Sequence, residues 1–241
     1  MRIGFHVSIH DSVDMAVDRA LELGCNTFQI FTRSPRQWNS PKLTPETAKA
    51  FSNKVKMHQM KPVFAHMPYL PNLASPRDEV YEKSVKTLSS ELERCQKLEI
   101  PFLVTHLGSH LGTGMQRGFN RIIDGINQGL TSANGSVMLL LENTAGTRNS
   151  MGSTLEDIQH IIERLANSEL VGVCIDTSHA FAAGYDLRTE ETVEATISKI
   201  DEIIGLKRLK LVHLNDSKGA FNSGIDRHEH IGMGMIGEEG F

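Results

Sequence analysis

Seven short apolar runs recur along the chain, six of them followed by a stretch whose apolar residues recur at helical spacing, and this alternation restricts the fold more than any other feature. The runs are 3–7, 27–32, 61–66, 102–106, 137–143, 171–176 and 209–214. Between them, Val13, Ala16, Val17, Ala20 and Leu21 lead to Gly24, a helix stop. Thr44-Pro45 opens a helix carrying Ala48, Phe51 and Val55. Ser75-Pro76-Arg77-Asp78 starts one with Tyr81, Val85, Leu88, Leu92 and Cys95 along one stripe. Residues 116–130 read as a helix in spite of Gly118, Gly125 and Gly129. Ser153-Thr154-Leu155-Glu156 is a capping box before Ile158, Ile161, Ile162 and Leu165, and Val193, Ile197, Ile200 and Ile204 mark a further helix. Continuous apolar strands alternating with amphipathic helices specify a parallel sheet covered by helices. The expected architecture is α/β, a TIM (β/α)8-type parallel barrel forming one domain over residues 1–241. Residues 236–241 read as the start of an eighth outer helix, so the eighth strand is missing from this chain and the barrel is expected to be truncated before it can pair strand eight with strand one.

Composition excludes some partners. No apolar run approaches the roughly 20 residues that span a bilayer, and Met1-Arg2-Ile3-Gly4-Phe5 enters a strand and not a signal peptide. A cytoplasmic protein without a membrane partner is expected. Cys25, Cys95 and Cys174 lie in or beside predicted elements and read as buried free thiols. The formal charge of -4 argues against a globally basic nucleic-acid binder. Bound divalent ions would reverse the sign of one face, so net charge does not decide the partner.

In a barrel of this kind the reacting groups sit at the carboxyl ends of the strands. Those positions hold His66, His106, Glu142, Asp176 with His179, and His213, and the loop beyond adds Asp226 and His228. A lone histidine at a strand end is ordinarily a hydrogen-bonded structural residue. The set is another matter, because five of the chain's eleven histidines and three carboxylates are predicted on one rim. Imidazole with carboxylate suits Zn²⁺, Mn²⁺ or Fe, and no thiol occupies these positions, which excludes a cysteine-based structural zinc site. Eight donors exceed what one tetrahedral ion uses, so more than one ion sharing a bridging carboxylate is expected. Asp226 and His228 flank Arg227, and in an extended segment they point to one side. Clustered ions suit phosphoryl chemistry.

The chain resembles the endonuclease IV family of abasic-site endonucleases. The resemblance rests on Gly4-Phe5-His6-Val7-Ser8, Arg36-Gln37-Trp38, His66 with Tyr69-Leu70, and His106-Leu107-Gly108-Ser109-His110. It continues through Leu141-Glu142-Asn143-Thr144-Ala145-Gly146, the run Asp176-Thr177-Ser178-His179-Ala180-Phe181-Ala182-Ala183-Gly184-Tyr185-Asp186, and His213-Leu214-Asn215-Asp216-Ser217-Lys218 with Asp226-Arg227-His228. It implies a barrel with a trinuclear zinc cluster that hydrolyses the phosphodiester 5′ to an abasic site in duplex DNA, leaving a 3′-hydroxyl, with a metal-bridging hydroxide as nucleophile. By the same resemblance His66, His106 and Glu142 hold one zinc, Glu142 bridges to a second held by Asp176 and His213, and His179, Asp226 and His228 hold the third. Glu142, Asp176 and His213 are then the catalytic core. Mn²⁺ is compatible with the same donors. Arg36, Tyr69 and Leu70 match the residues this family wedges into DNA at the lesion, and Lys218 and Arg227 are candidate phosphate contacts. The implied partner is double-stranded DNA with abasic or 3′-blocked damage, bound by a monomer.

The family has a further glutamate on the second zinc at the end of strand eight, and no residue of this sequence matches it. Two other readings therefore stand beside the endonuclease: a sugar isomerase or epimerase of the same barrel superfamily, which needs fewer ions, and a non-catalytic DNA-damage binding protein.

Overall fold

A computed structural model describes residues 1–131 and 135–241. Local sequence explains where its helices begin. Thr44, one residue before Pro45, opens α2 (Pro45–Met57) and its hydroxyl accepts the Thr47 amide at 3.2 Å. Thr154 does the same for α5 (Leu155–Ile162) through Asp157, and Thr189 for α7 (Glu190–Ile203) through Thr192. Each hydroxyl satisfies an amide that the first helical turn leaves without an intrahelical acceptor.

The strands β1 (Phe28–Phe31), β2 (Val63–His66), β3 (Phe102–His106), β4 (Met138–Glu142), β5 (Val171–Asp176) and β6 (Leu209–His213) form one sheet in that order. Their pairs are parallel, and the registers fix which strand ends meet: Phe31 lies opposite His66, and Asp176 opposite His213. β5 is buried at all six positions, as expected of a strand with both faces covered.

By contact density the chain divides into two compact units. The first is Met1–Pro71, Glu82–Thr105 and Gln128–Leu139. In it α1 (Met15–Glu22) buries Ala16, Val17 and Ala20, and Lys54 of α2 reaches Asp18 at 2.5 Å and Asp14 at 3.1 Å. The Phe51 ring of α2 packs edge-on against Phe28 at 6.2 Å between centroids. The second unit is Asn72–Tyr81, His106–Asn127 and Leu140–Phe241. It contains β5, β6, α5, α7, a short helix α6 (Thr177–Ala182), a two-stranded hairpin of β7 (Asp216–Ser217) with β8 (His228–Glu229), and α8 (Gly237–Gly240). The long helices α3 (Asp78–Lys97) and α4 (Met115–Thr131) have residues in both units.

Several expectations change. Residues 3–7 do not form a strand: they contribute a single parallel bridge, His6 to Gln29, with Gln29 N–H donating to Phe5 O at 3.0 Å and Val7 N–H to Gln29 O at 2.9 Å. Residues 1–6 are exposed, so an apolar pattern stands where little is buried. Ile197 of α7 is 45% exposed, whereas Ile200 and Ile204 are buried, so the apolar face of this helix is narrower than the spacing implied. All three cysteines are buried free thiols, as expected. Among the described residues no helix is long and apolar enough to cross a membrane.

Candidate metal centre

The second unit gathers His106, Glu142, Asp176, His179, His213, Asp226 and His228. Strand ends deliver four of them: His106 closes β3, Glu142 β4, Asp176 β5 and His213 β6. Glu142 is 2% exposed and faces three imidazoles, with His213 Nδ1 at 2.9 Å, His106 Nε2 at 3.4 Å and His179 Nδ1 at 3.8 Å from its carboxylate. The two imidazoles of His213 and His106, facing one buried carboxylate, are the arrangement in which that carboxylate could be shared between ions.

Asp176 is held from several sides. Its backbone N–H donates to Asn143 Oδ1 at 2.7 Å and its carbonyl accepts Asn143 Nδ2 at 3.1 Å, a reciprocal pair that locks the end of β5 to the residue after Glu142. Its carboxylate caps α6 by accepting the His179 amide at 3.0 Å, and also accepts Asn215 Nδ2 at 2.6 Å. Asn215 is itself fixed, because Thr177 Oγ1 accepts its amide at 2.9 Å and donates to its carbonyl at 2.7 Å. Capping by Asp176 puts His179 at the third position of α6, so the spacing of three is set by helix geometry.

His179 links Asp176 to the hairpin. Its Nδ1 lies 2.9 Å from the Asn143 carbonyl, which can only accept, so Nδ1 carries a proton and Nε2 is the atom that could ligate an ion. Nε2 faces Asp226 Oδ1 at 3.2 Å and His228 Nε2 at 3.3 Å, and His228 Nε2 lies 3.7 Å from Asp176 Oδ2. Asp226 and His228 thus project to the same side, as their spacing predicts. The ligand atoms of Asp176, His179 and His228 all lie within 4.8 Å of one another.

The electrostatics call for a cation. Burial alone would lower the pKa of His179, but the hydrogen bond to Asp226 and the charges of Asp176, Glu142 and Asp226 raise it to about 9. His213 is raised likewise: burial opposes, and the hydrogen bond and charge of Glu142 prevail. Either a second proton on each ring or a divalent ion meets that demand. Two imidazole nitrogens 3.3 Å apart with carboxylates around them form a donor set that fits Zn²⁺ or a related ion.

His66 is 5% exposed at the end of β2, and its Nδ1 donates to the Met67 carbonyl at 2.7 Å, which leaves the lone pair on Nε2. Tyr69 is 60% exposed and Leu70 36%. The Tyr69 ring packs edge-on against Phe31 at 5.1 Å, and the Tyr69 amide donates to the Pro35 carbonyl at 3.0 Å. Arg36 and Arg227 are exposed. Lys218 is not a free surface charge: its ammonium sits 3.4 Å from Glu229 across the β7–β8 hairpin.

One expectation is corrected. A thiol does stand among these groups, since Cys174 Sγ lies within 4.8 Å of ligand atoms of Glu142 and His213. Strand alternation was the available signal: Cys174 and Asp176 are two apart in β5 and share a face. Burial, and then the charges of Glu142 and Asp176, push its pKa well above the ordinary thiol value, so it stays protonated and packs as a small apolar group. Sequence reasoning also passed over Asn143, Thr177 and Asn215, whose roles depend on contacts across the sheet, and Asp216. Asp216 is fully buried and its carboxylate accepts the amides of Ser217, Gly232, Gly234, Ile236 and Gly237 at 2.8 to 3.3 Å. Gly234 permits this approach, because a Cβ there would lie 2.5 Å from both Asp216 Oδ1 and the Ser217 carbonyl oxygen.

Comparison with known proteins gives a consistent picture. Residues 17–241 match the family described as a xylose isomerase-like TIM barrel. A probable endonuclease 4 of Methanoculleus marisnigri is 56% identical over 240 residues, covering 99% of this chain and 85% of its own. One of Nitrosopumilus maritimus is 50% identical over 242 residues, covering 100% and 86%. Among solved structures, endonuclease IV from Thermus thermophilus superposes with a TM-score of 0.90 at 36% identity, over 100% of this chain and 86% of that one. A D-tagatose 3-epimerase-like protein, 20% identical over 96% of this chain and 81% of its own, shares the fold with a TM-score of 0.71.

Proposed function

The chain belongs to the endonuclease IV family of xylose isomerase-like TIM barrels, and from that premise we propose that it is a DNA-repair hydrolase that cuts the phosphodiester 5′ to abasic sites in duplex DNA and leaves a 3′-hydroxyl. The observation that carries the reading is the convergence of His179, Asp226 and His228 beside the carboxylate of Glu142 and its imidazoles. A sugar isomerase moves a proton and has no use for so many donors, whereas phosphodiester cleavage must neutralise charge on both the attacking and the leaving oxygen.

In this reading His66, His106 and Glu142 would hold one zinc, Glu142 with Asp176 and His213 a second, and His179, Asp226 and His228 a third. Zinc supplies Lewis acidity and an acidified water when bound. The protein's own contribution is orientation: Asn143 fixes both His179 and the end of β5, Asn215 and Thr177 fix Asp176, and Glu142 spans the imidazoles. Arg36, Tyr69 and Leu70 would engage the duplex at the lesion, with Arg227 and Lys218 against phosphates; for Lys218 this requires release from Glu229.

Two measurements test this. Elemental analysis of the purified protein, together with nicking of a duplex that carries one tetrahydrofuran abasic analogue, should show several zinc ions per chain and cleavage that chelation removes and added zinc restores. A single ion per chain with no nicking at any zinc level contradicts the assignment. Tyr69→Ala should weaken binding of the abasic duplex about 5- to 150-fold, the range expected for loss of one aromatic stacking contact, while binding to intact duplex changes little. Equal affinities for the lesion would remove Tyr69 from the interface.

A further inference from the structure

The carboxylate of Glu91 on α3 is fully buried and lies outside every ligand group. It accepts Thr32 Oγ1 at 2.7 Å and the Nε–H of Arg33, the two residues that follow β1. The Arg33 guanidinium, 5% exposed, goes on to Ser90 Oγ at 2.8 Å and to the carbonyl of Trp38 at 3.3 Å. Arg94, on the next turn of α3, donates to Thr32 Oγ1 at 2.8 Å, to the Thr32 carbonyl, and to the Pro41 carbonyl at 3.1 Å. Two buried guanidiniums and one carboxylate therefore grip the segment 32–41 at its start, its middle and its end. The Pro35 carbonyl then holds the Tyr69 amide at 3.0 Å, so the second exposed loop is tied to the first. Arg36 stands between the clamped points, exposed, with no hydrogen-bond or ion-pair partner for its side chain among the described residues.

Apolar side chains would hold a helix against a sheet as firmly as buried charges do, because desolvation offsets most of the attraction within a buried ion pair. What the charges add is direction. Each guanidinium presents donors in a fixed fork, and here the forks are spent on backbone carbonyls of one loop. We propose that Glu91, Arg33 and Arg94 are positioning residues that hold the 32–41 segment so that Arg36 and, through Pro35, Tyr69 meet the DNA. The proposal rests on the reading of Arg36 and Tyr69 as DNA contacts. It assigns binding of the lesion, and not the chemical step, to a charge network on the helix behind β1.

Trp38 is the only tryptophan of the chain, so its fluorescence reports on this segment alone. The test compares the zinc-loaded protein with Glu91→Gln, Ser90→Ala, Arg36→Ala and the double variant Glu91→Gln with Arg36→Ala. Acrylamide quenching of Trp38 and the binding and single-turnover cleavage of a tetrahydrofuran-containing duplex are read for each. Glu91→Gln should make Trp38 about twice as quenchable and weaken duplex binding about tenfold, with the cleavage rate at saturating DNA within about twofold, as expected when orientation for binding is lost and chemistry is not. Ser90→Ala, which removes one acceptor from Arg33, should shift both in the same direction by less, and it carries the test when Glu91→Gln does not fold. The double variant should lose less affinity than the two single losses combined, since both changes remove the Arg36 contact and only the loosened hold on Tyr69 adds to it. Additive losses, or a loosened Trp38 with unchanged duplex affinity while Arg36→Ala binds weakly, overturn the positioning role. If Arg36→Ala binds the lesion as the parent does, the DNA-contact reading itself fails and takes the proposal with it.

Discussion

Glu142→Gln is expected to lower the turnover of an abasic duplex by at least about a thousandfold, or roughly 4 kcal/mol of barrier. The carboxylate is buried, and within hydrogen-bonding or ion-pair distance it meets His213, His106 and His179. A glutamine keeps the size and one oxygen but supplies no negative charge, and its amide nitrogen would point hydrogen at a nitrogen donor or at an ion. The loss therefore falls on ion retention and on charge neutralisation in the transition state together. Elemental analysis separates the two: zinc content should fall, and excess zinc should restore only part of the activity. Circular dichroism on the same sample shows whether the fold persists. Turnover within tenfold of the parent, at full zinc occupancy, would take Glu142 out of the reaction.

Asp216→Ala should cost about 3–5 kcal/mol of stability, the upper range for a single substitution. It strands a group of backbone amides, those of Ser217, Gly232, Gly234, Ile236 and Gly237, of which Ile236 is buried. For a chain of this length that is a fall in Tm of about 10 °C. A pH signature accompanies it. Burial tends to raise the pKa of Asp216, but the amide donors Ile236, Gly234, Ser217 and Gly237 outweigh it and the value lies below the ordinary carboxylate. A lowered acid stabilises the fold above its unfolded-state pKa, and that contribution disappears as pH falls through the folded-state value. The Tm gap between parent and Asp216→Ala should therefore be constant near neutrality and narrow below about pH 4. A gap that persists to pH 3 would mean that the carboxylate charge is irrelevant and only the packing matters.

What could be read from sequence, and what could not, divides along a physical line. Elements dominated by burial were legible: the continuous run of β5, the stripe of α3, and the face of α5, whose Ile158, Ile161 and Ile162 are all buried. Two of the three glycines that argued against α4 turn out to be packing choices, since a Cβ at Gly118 would lie 2.8 Å from Met151 Sδ and one at Gly129 2.6 Å from Leu88 Cδ2. Close approach there outweighs the loss of about 1 kcal/mol in helix propensity that each glycine brings. Residues 3–7 misled because an apolar pattern states what a segment prefers and not whether anything covers it. At the site, the imidazoles and carboxylates that converge were visible from chemistry and strand position. The parts that orient them were not: Asn143 and Asn215 act through Asp176, 33 and 39 residues away, and only the register of the sheet brings such pairs together. Cys174 was overlooked because its type was judged without its phase in β5.

The amide cluster around Asp216 has a further consequence, for local motion. Amides that each have their own acceptor can open one at a time, but those of Gly232, Gly234, Ile236 and Gly237 all depend on one carboxylate. Releasing that acceptor exposes them together, so they form a cooperative opening unit. In native-state hydrogen exchange their protection should be lost at a single free energy, below that of the β5 amides, and Asp216→Asn should lower the protection of all four by a similar factor. The segment after the hairpin then behaves as one latch turned by one residue, not as a loop that frays from its end.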